Sequence, residues 1–344
     1  MQNDQMISRR KVLELAAVGG VALNTGIASA FAQPAQAKRI ERLDPDLDKI
    51  IATSEPIRVL GENYGGDGGP AEGPVWWKEG GYLLFSDIGN NRRMKYTPGQ
   101  GVTVFKQGTE RANGLTRDMQ GRLIACEGDT RRVVRIDSDG SVTVIANGYQ
   151  GKRIGRPNDV VVKSDGSIYF TDPQGGASGD PWDVSGPGVY RVSADLGSMM
   201  LLSDNFLAPN GLAFSPDESV LYVDDSRRRH IRAFDLLPNG ALAKQTDRVF
   251  VDLNGPEPGV PDGMKVDSAG NVYSGGSGGL YIMDPKGKKL GRIVHGGPAT
   301  TNIAFGGADW KTLYFTGRNF LGSVNIKVAG LPVRRAKPSY ARLP

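Results

Sequence analysis

Six oxygen-bearing side chains open six similar segments of this 344-residue chain: Glu72, Asn113, Asn158, Asn210, Asp262 and Asn302. Two are carboxylic acids, four are amides, and no lysine or arginine shares their position. Brought into one layer, two carboxylates and several amide oxygens would repel each other unless something positive sat between them. Oxygen-only donors suit a hard divalent ion, calcium first, with magnesium, manganese or zinc as alternatives. A thiolate or imidazole centre has little support. Cys126 is the one cysteine, and His230 and His295 lie far apart in sequence without ligand spacing. A single Asn-Gly or Asp-Gly is ordinarily a turn. Recurrence in register with Glu and Asp is what makes these six a set.

The elements that must position them repeat as well. "EGPVWWKEGGYLLFSDI" begins at Glu72, "NGLTRDMQGRLIACEGD" at Asn113 and "NDVVVKSDGSIYFTDP" at Asn158. "NGLAFSPDESVLYVDDS" begins at Asn210, "DGMKVDSAGNVYSGGS" at Asp262 and "NIAFGGADWKTLYFTG" at Asn302. Each reads as a hairpin: a short strand, a turn with Gly or Asp, and a second strand rich in Val, Ile, Tyr and Phe. Third strands such as "RRVVRIDSDG" and "GLYIMDPKG" follow, then a less regular fourth such as "VTVIANG". The copies start 41, 45, 52, 52 and 40 residues apart. Four strands every 40–50 residues or so is the pattern of a propeller blade. The expected fold is all-β: a six-bladed β-propeller of four-stranded blades around a central channel. Inner strands line that channel, so equivalent positions form a ring. "IRVL" before the first copy is expected to complete the last blade. A pair of β-sandwiches would not explain the repeat.

Composition bounds the rest. At 39% hydrophobic and 23% charged, the chain is globular, and its 48 glycines are scattered between apolar runs as turn residues would be. The net charge of +5 is not gathered into a stripe. "RRRH" at 227–230 and "VRRAK" at 333–337 are the dense basic clusters, which argues against a nucleic-acid partner. Cys126, in strand-like "RLIACE", reads as a buried small residue, and one cysteine excludes an internal disulfide. Residues 1–37 read as a twin-arginine signal. Arg9 and Arg10 precede a small-residue apolar run with cleavage signals "AFA" and "AQA", near 32 or 37. The expected mature chain is 38–344, one propeller exported by the twin-arginine (Tat) machinery to the periplasm, with no membrane association after cleavage.

The segments "AEGPVWW", "RPNDVVVKSDGSIYFTDP", "PNGLAFSPDESVLYVDDS" and "PDGMKVDSAGNVY" resemble those of the senescence-marker protein/gluconolactonase (regucalcin-like) family. The resemblance runs from about 60 to about 325 and implies a propeller lactonase with one divalent ion. It implies Glu72, Asn158, Asn210 and Asp262 as metal ligands, with Asp262 also the general base. Arg156 and Asn113 would face a small-molecule lactone. Bacterial members often read "CEH" where this chain has Cys126-Glu127-Gly128, so the substrate is expected to depart from gluconolactone. His295 is expected on a surface loop, with reach to the channel mouth as the alternative. The loop 172–188, with Trp182, reads equally as a lid over the mouth or as free surface. A phosphotriesterase-like hydrolase and a non-catalytic metal-stabilised propeller are the competing functions.

Overall fold

The computed structural model describes residues 37–332. The Arg9–Arg10 segment and the basic cluster at 333–337 lie outside them. Among the described residues no helix is long and apolar enough to cross a membrane.

Six antiparallel sheets form the blades. Blade one runs through Ala71–Trp77, Tyr82–Asp87, Arg92–Thr97 and Gly101–Gln107. Blade two comprises Leu115–Arg117, Leu123–Glu127, Arg132–Ile136 and Val142–Ala146. Blade three comprises Val160–Val162, Ile168–Asp172, Gly188–Val192 and Met199–Ser203. Blade four comprises Pro209–Phe214, Val220–Asp225, His230–Asp235 and Arg248–Asp252. Blade five has Met264–Val266, Val272–Gly276, Gly279–Met283 and Lys289–Val294. Blade six has Thr300–Gly306, Thr312–Gly317 and Phe320–Asn325. The expected propeller is what forms. A two-stranded hairpin, Gly148–Tyr149 with Lys152–Arg153, is added between blades two and three.

Local chemistry sets these strands. Second strands such as Leu123–Glu127, Ile168–Asp172 and Val272–Gly276 are buried at every position, because blades stack face to face and leave neither side of the sheet in water. Asp-x-x-Gly turns close several hairpins. In Asp118–Gly121, Asp137–Gly140, Asp267–Gly270 and Asp284–Gly287 the glycine N–H donates to the Asp carbonyl at 2.9–3.0 Å. Each of these glycines has φ of 84–88°, a conformation most side chains avoid.

The ring closes with chain from both ends. Arg58–Glu62 pairs with Phe320–Asn325 and gives blade six its fourth strand, as "IRVL" was expected to do. An earlier strand, Arg39–Arg42, adds a fifth strand to blade five against Lys289–Val294. Its sequence, RIER, has one apolar residue and gives no strand signal of its own. A short 3-10 helix, Pro45–Lys49, lies between the two, capped by Asp44, whose side chain accepts the Asp46 N–H at 3.0 Å. Leu47, Ile50 and Ile51 are buried in one cluster with Leu290, Ile293, Leu313 and Phe315, so this segment packs against both of the last two blades.

Candidate functional site

Glu72, Asn210 and Asn302 lie within the first three residues of their inner strands, and Asn113, Asn158 and Asp262 stand two residues before theirs. Their backbones are clasped by neighbouring blades. The Ser86 hydroxyl of blade one donates to the Asn113 carbonyl at 2.7 Å, and Thr171 of blade three donates to the Asn210 carbonyl at 2.6 Å. The Gly114 N–H donates to the Asn158 carbonyl at 2.8 Å, and the Gly263 N–H to the Thr301 carbonyl at 2.7 Å. The glycines after the ring residues therefore mark close approach. Asn210-Gly211 is not a turn. It lies inside the strand Pro209–Phe214, and Gly211 is not left-handed. A Cβ there would lie 2.8 Å from Asp224 Oδ2 and closer still to the Asp262 carbonyl. At Gly114 it would stand 2.6 Å from both the Asn158 carbonyl and Asp159 Oδ1.

Of the six side chains, Glu72 and Asn302 are covered, whereas Asn113, Asn158, Asn210 and Asp262 keep part of their surface exposed. Asn302 Nδ2 donates to Glu72 Oε2 at 2.9 Å, while its own Oδ1 accepts the Ile303 N–H at 2.8 Å. It supports Glu72 and has no oxygen to spare. The other three amides differ: Oδ1 of Asn113, Asn158 and Asn210 is buried with no hydrogen-bond partner. Unpaired buried acceptors are unfavourable and rare, and three on one ring point to a shared positive partner. Burial, and next the Asp262 charge, push Glu72 well above the usual carboxylate range, against hydrogen bonds from Asn302 and Gly73. Burial also raises Asp262, with Asp159 adding to it; hydrogen bonds from Gly263 and Asn210 oppose the rise. Among the described residues no three His, Cys, Asp or Glu side chains form a group that could hold a metal ion by themselves. The donor set is two carboxylates with amide oxygens.

The sequence reading missed charges behind the ring. Asp159 is buried and raised by that burial, and Lys265 Nζ approaches its Oδ2 at 4.0 Å. Asp224 is wholly buried and neither carboxylate oxygen has a well-formed hydrogen bond; burial and then Asp262 raise its pKa strongly, and the nearby Gly211 N–H opposes this only in part. Asp159 was findable: it takes the place held by glycine after Glu72, Asn113, Asn210 and Asp262. Asp224 depends on strand register.

Above the ring, a cleft of about 160 Å³ opens over blades one to three, lined by Arg111, Asn113, Gly128, Arg156, Asn158 and Gln174 among others. Asn113 and Arg156 thus face an open cleft. Arg111 was not foreseen there. Acids ending the second strands pin the surrounding loops. Asp87 accepts from the Gly65 N–H at 2.7 Å, Asp172 from Gly155 at 2.5 Å, and Asp225 from Leu207 at 2.8 Å. Glu127 is held by Thr130 at 2.7 Å and Arg132 at 2.6 Å, which commits it to its loop. The 172–188 loop is tied down. The Arg153 N–H donates to the Trp182 carbonyl at 2.8 Å, the Val184 N–H to Arg153 at 2.9 Å, and buried Asp183 takes Arg131 at 2.9 Å and Arg153 at 3.0 Å. Trp182 itself is 71% exposed. His295 is on neither the surface nor the mouth. It is buried against Phe315 and Phe320, with Nε2 2.8 Å from Thr300 Oγ1, and burial lowers its pKa to about 4. Cys126 is buried as expected, and burial raises its thiol.

Residues 70–319 match the family described as SMP-30/Gluconolactonase/LRE-like region. A gluconolactonase of Zymomonas mobilis subsp. mobilis is 32% identical over 94% of this chain and 99% of its own length. A pentonolactonase of Haloferax volcanii is 30% identical over 71% of this chain and 80% of its own. The solved structure of a Xanthomonas campestris gluconolactonase superposes with a TM-score of 0.75 at 31% identity, covering 86% of this chain and 97% of that one.

The close approach at Gly211 is open to test. Gly211→Ala places a methyl against backbone and a buried carboxylate, neither of which can yield cheaply. It should destabilise the fold by about 2–3 kcal/mol in urea unfolding. A change within about 0.5 kcal/mol would contradict the packing described.

Proposed function

The chain belongs to the SMP-30/gluconolactonase/LRE-like family, and we propose that it opens a sugar-type lactone in the periplasm with a divalent ion held by Glu72, Asn158, Asn210 and Asp262. It is a lactonase, a carboxylic ester hydrolase, in line with its gluconolactonase and pentonolactonase relatives. One observation carries the metal reading: three unpartnered amide oxygens on the ring that also bears two carboxylates raised by burial. Those donors fit a hard cation, calcium first; of the three amide oxygens, those of Asn158 and Asn210 belong to the proposed ligand set and that of Asn113 stands beside it.

A bound ion would supply Lewis-acid polarisation of the lactone carbonyl. The chain's own residues do the rest. Asp262 keeps part of its surface open, and the Gly263 N–H at 3.1 Å fixes its Oδ1. Its carboxylate accepts a proton from the attacking water as the water oxygen bonds to the carbonyl carbon. The ring ester C–O bond then breaks, its oxygen takes that proton back from Asp262, and the hydroxy acid leaves. Asn302 holds Glu72 in place through its 2.9 Å bond. Asn113 and Arg156, in the cleft, position the lactone's hydroxyls.

Chelation should abolish lactonase activity, and calcium or manganese should restore it. The pH dependence has a defined sign. Glu72 and Asp262 have folded-state pKa values above their unfolded ones. Without an ion the fold therefore binds more protons than the unfolded chain above about pH 4, and these groups contribute less stability as pH rises. His295, held neutral down to about pH 4, acts in the opposite sense, but equally with and without the ion. The rise in Tm on adding calcium should thus be larger at pH 8 than at pH 5. Activity in metal-free protein, or a pH-independent rise in Tm, would contradict the ion site.

Asp262→Asn separates ligand from base. It should still bind the ion, more weakly, and turnover at saturating ion should fall by about a hundredfold. Asn210→Asp should tighten ion binding without raising turnover. Near-native turnover of Asp262→Asn at saturating ion would make Asp262 a ligand only.

Export rests on Arg9 and Arg10. Changing both to lysine should hold the precursor in the cytoplasm, whereas the wild-type mature chain should begin near Gln33 or Lys38. Unchanged periplasmic yield of the double variant would remove the twin-arginine route.

A further inference from the structure

The cleft above the ring is charged on one side. Arg111 and Arg156 both line it, and both are tied to Asp129. Arg111 Nε lies 3.3 Å from Asp129 Oδ2, and Arg156 Nη2 lies 2.8 Å from Oδ1. One carboxylate thus serves two guanidiniums, leaving a positive excess. The three side chains are 36%, 44% and 42% exposed, so these pairs are weak and exchange readily with a competing anion.

The backbone is shaped around this pair. Glu110 and Arg111 are consecutive non-glycine residues in left-handed conformation, with φ of 55° and 46°. Asn91 Oδ1 holds them there by accepting the Thr109 and Arg111 N–H groups at 3.0 and 2.9 Å, and the Asp129 N–H donates to the Glu110 carbonyl at 3.0 Å. Strain held in this way is typical of ligand clamps. Gly128 fits the same purpose. It is not left-handed, so no backbone angle requires glycine. A Cβ would lie 3.0 Å from the Arg111 carbonyl and 3.2 and 3.3 Å from Arg156 Nη2 and Nε. Arg156 Nε donates to the Gly128 carbonyl at 3.2 Å. Gly128 leaves the space in which Arg156 lies, and a histidine in its place would displace that side chain.

We infer that the substrate carries an oxyanion, a carboxylate or phosphate remote from the lactone carbonyl, and that Arg111 and Arg156 take it in exchange for Asp129. Guanidinium forks match such groups in geometry as well as charge. Asn113 and Asn158 line the same cleft and belong to the ring, so a ligand held there at its anionic end can reach the ring with the other. This rests on the lactonase reading.

The test compares glucono-1,5-lactone with the same ring bearing a C6 carboxylate or a 6-phosphate. Wild-type kcat/KM should favour one of the anionic lactones by about tenfold or more, and 0.5 M NaCl should shrink the preference; which of the two wins identifies the group. Arg156→Ala and Arg111→Ala should each lower the anionic-to-neutral ratio about tenfold, chiefly through KM. Gly128→His should lower it too. Asp129→Asn, which removes the competing carboxylate, should raise it. A merely structural role would move both substrates together. Melting curves establish that each variant is folded, and Arg156→Lys, which keeps charge without the fork, should recover part of the ratio. A wild-type ratio near one, or a ratio unmoved by Arg156→Ala, overturns the inference while leaving the lactonase standing. If no lactone is hydrolysed, calorimetry with 6-phosphogluconate decides. Binding that is lost in Arg156→Ala upholds the clamp although the lactonase reading falls, and absence of binding to wild type overturns the clamp.

Discussion

Glu72 and Asp262 are like charges confined to one ring, and the surrounding structure exists to hold them there. Burial disfavours ionisation of each, and neighbouring charges add to it, Asp262 and Asp159 on Glu72 and Asp159 on Asp262. The local hydrogen bonds offset only part of this. Asn302 Nδ2 and the Gly73 N–H serve Glu72 at 2.9 and 2.8 Å, and the Gly263 N–H serves Asp262 at 3.1 Å. The Oδ1 atoms of Asn113, Asn158 and Asn210 add to the difficulty, because they are themselves unpaired acceptors on the same ring. Such a ring would spread apart if its backbone could move. It cannot, because inner strands meet without side chains between them at Gly114 and Gly211, and hydroxyls from Ser86 and Thr171 lock ring carbonyls to the next blade.

That confinement requires a closed circle. The closing sheet joins Arg58 to Ser323 and Glu62 to Phe320, nearly the full length of the described chain apart. Contacts so remote in sequence form only after a large loss of chain entropy. The segment before the closing strand contributes to the balance. Leu47, Ile50 and Ile51 are buried almost completely against the last two blades, worth on the order of 5 kcal/mol together at about 1.5–3 kcal/mol for each such side chain. The Arg58–Glu62 strand, which leads into blade one, thus holds blade six to blade one where the ring would otherwise open and where Glu72 meets Asn302, and the segment before it secures blade six to blade five.

Much of this was legible because propeller blades are written in local chemistry. Strand patterning, Asp-x-x-Gly turns and a polar residue at each blade's start can all be read within a window of some twenty residues. What escaped depends on register and packing. Asp224 matters because the second strand of blade four turns it toward Gly211, and nothing in "YVDDS" distinguishes it from Asp225, which caps a loop. Asn302 belongs to the ring, yet its oxygen is spent on its own Ile303 N–H, a rotamer no sequence declares. His295 looked like a loop residue among glycines, but the aromatic rings of Phe315 and Phe320 take it in. The glycines after the ring residues were read as turn markers, and close approach demands the same residue.

The ring repeats sixfold, but the mouth does not, and the difference is set at one register position. The second strands of blades one to four end in Asp87, Glu127, Asp172 and Asp225, while those of blades five and six end in Gly276 and Gly317. An acid there can gather loop N–H groups and arginines, so it supports a longer connection. Asp225 alone accepts from Leu207, Ala208, Arg227 and Arg228. A glycine permits only a tight return, as where Gly276 pairs with Gly279. The return to the third strand is therefore four residues or longer in blades one to four and two residues in the last two. The longest of these connections, 173–187, follows Asp172 and supplies Gln174 to the cleft. Fold symmetry supplies the ring of oxygens, and the broken symmetry of the loops supplies the one-sided cleft where Arg111 and Arg156 stand.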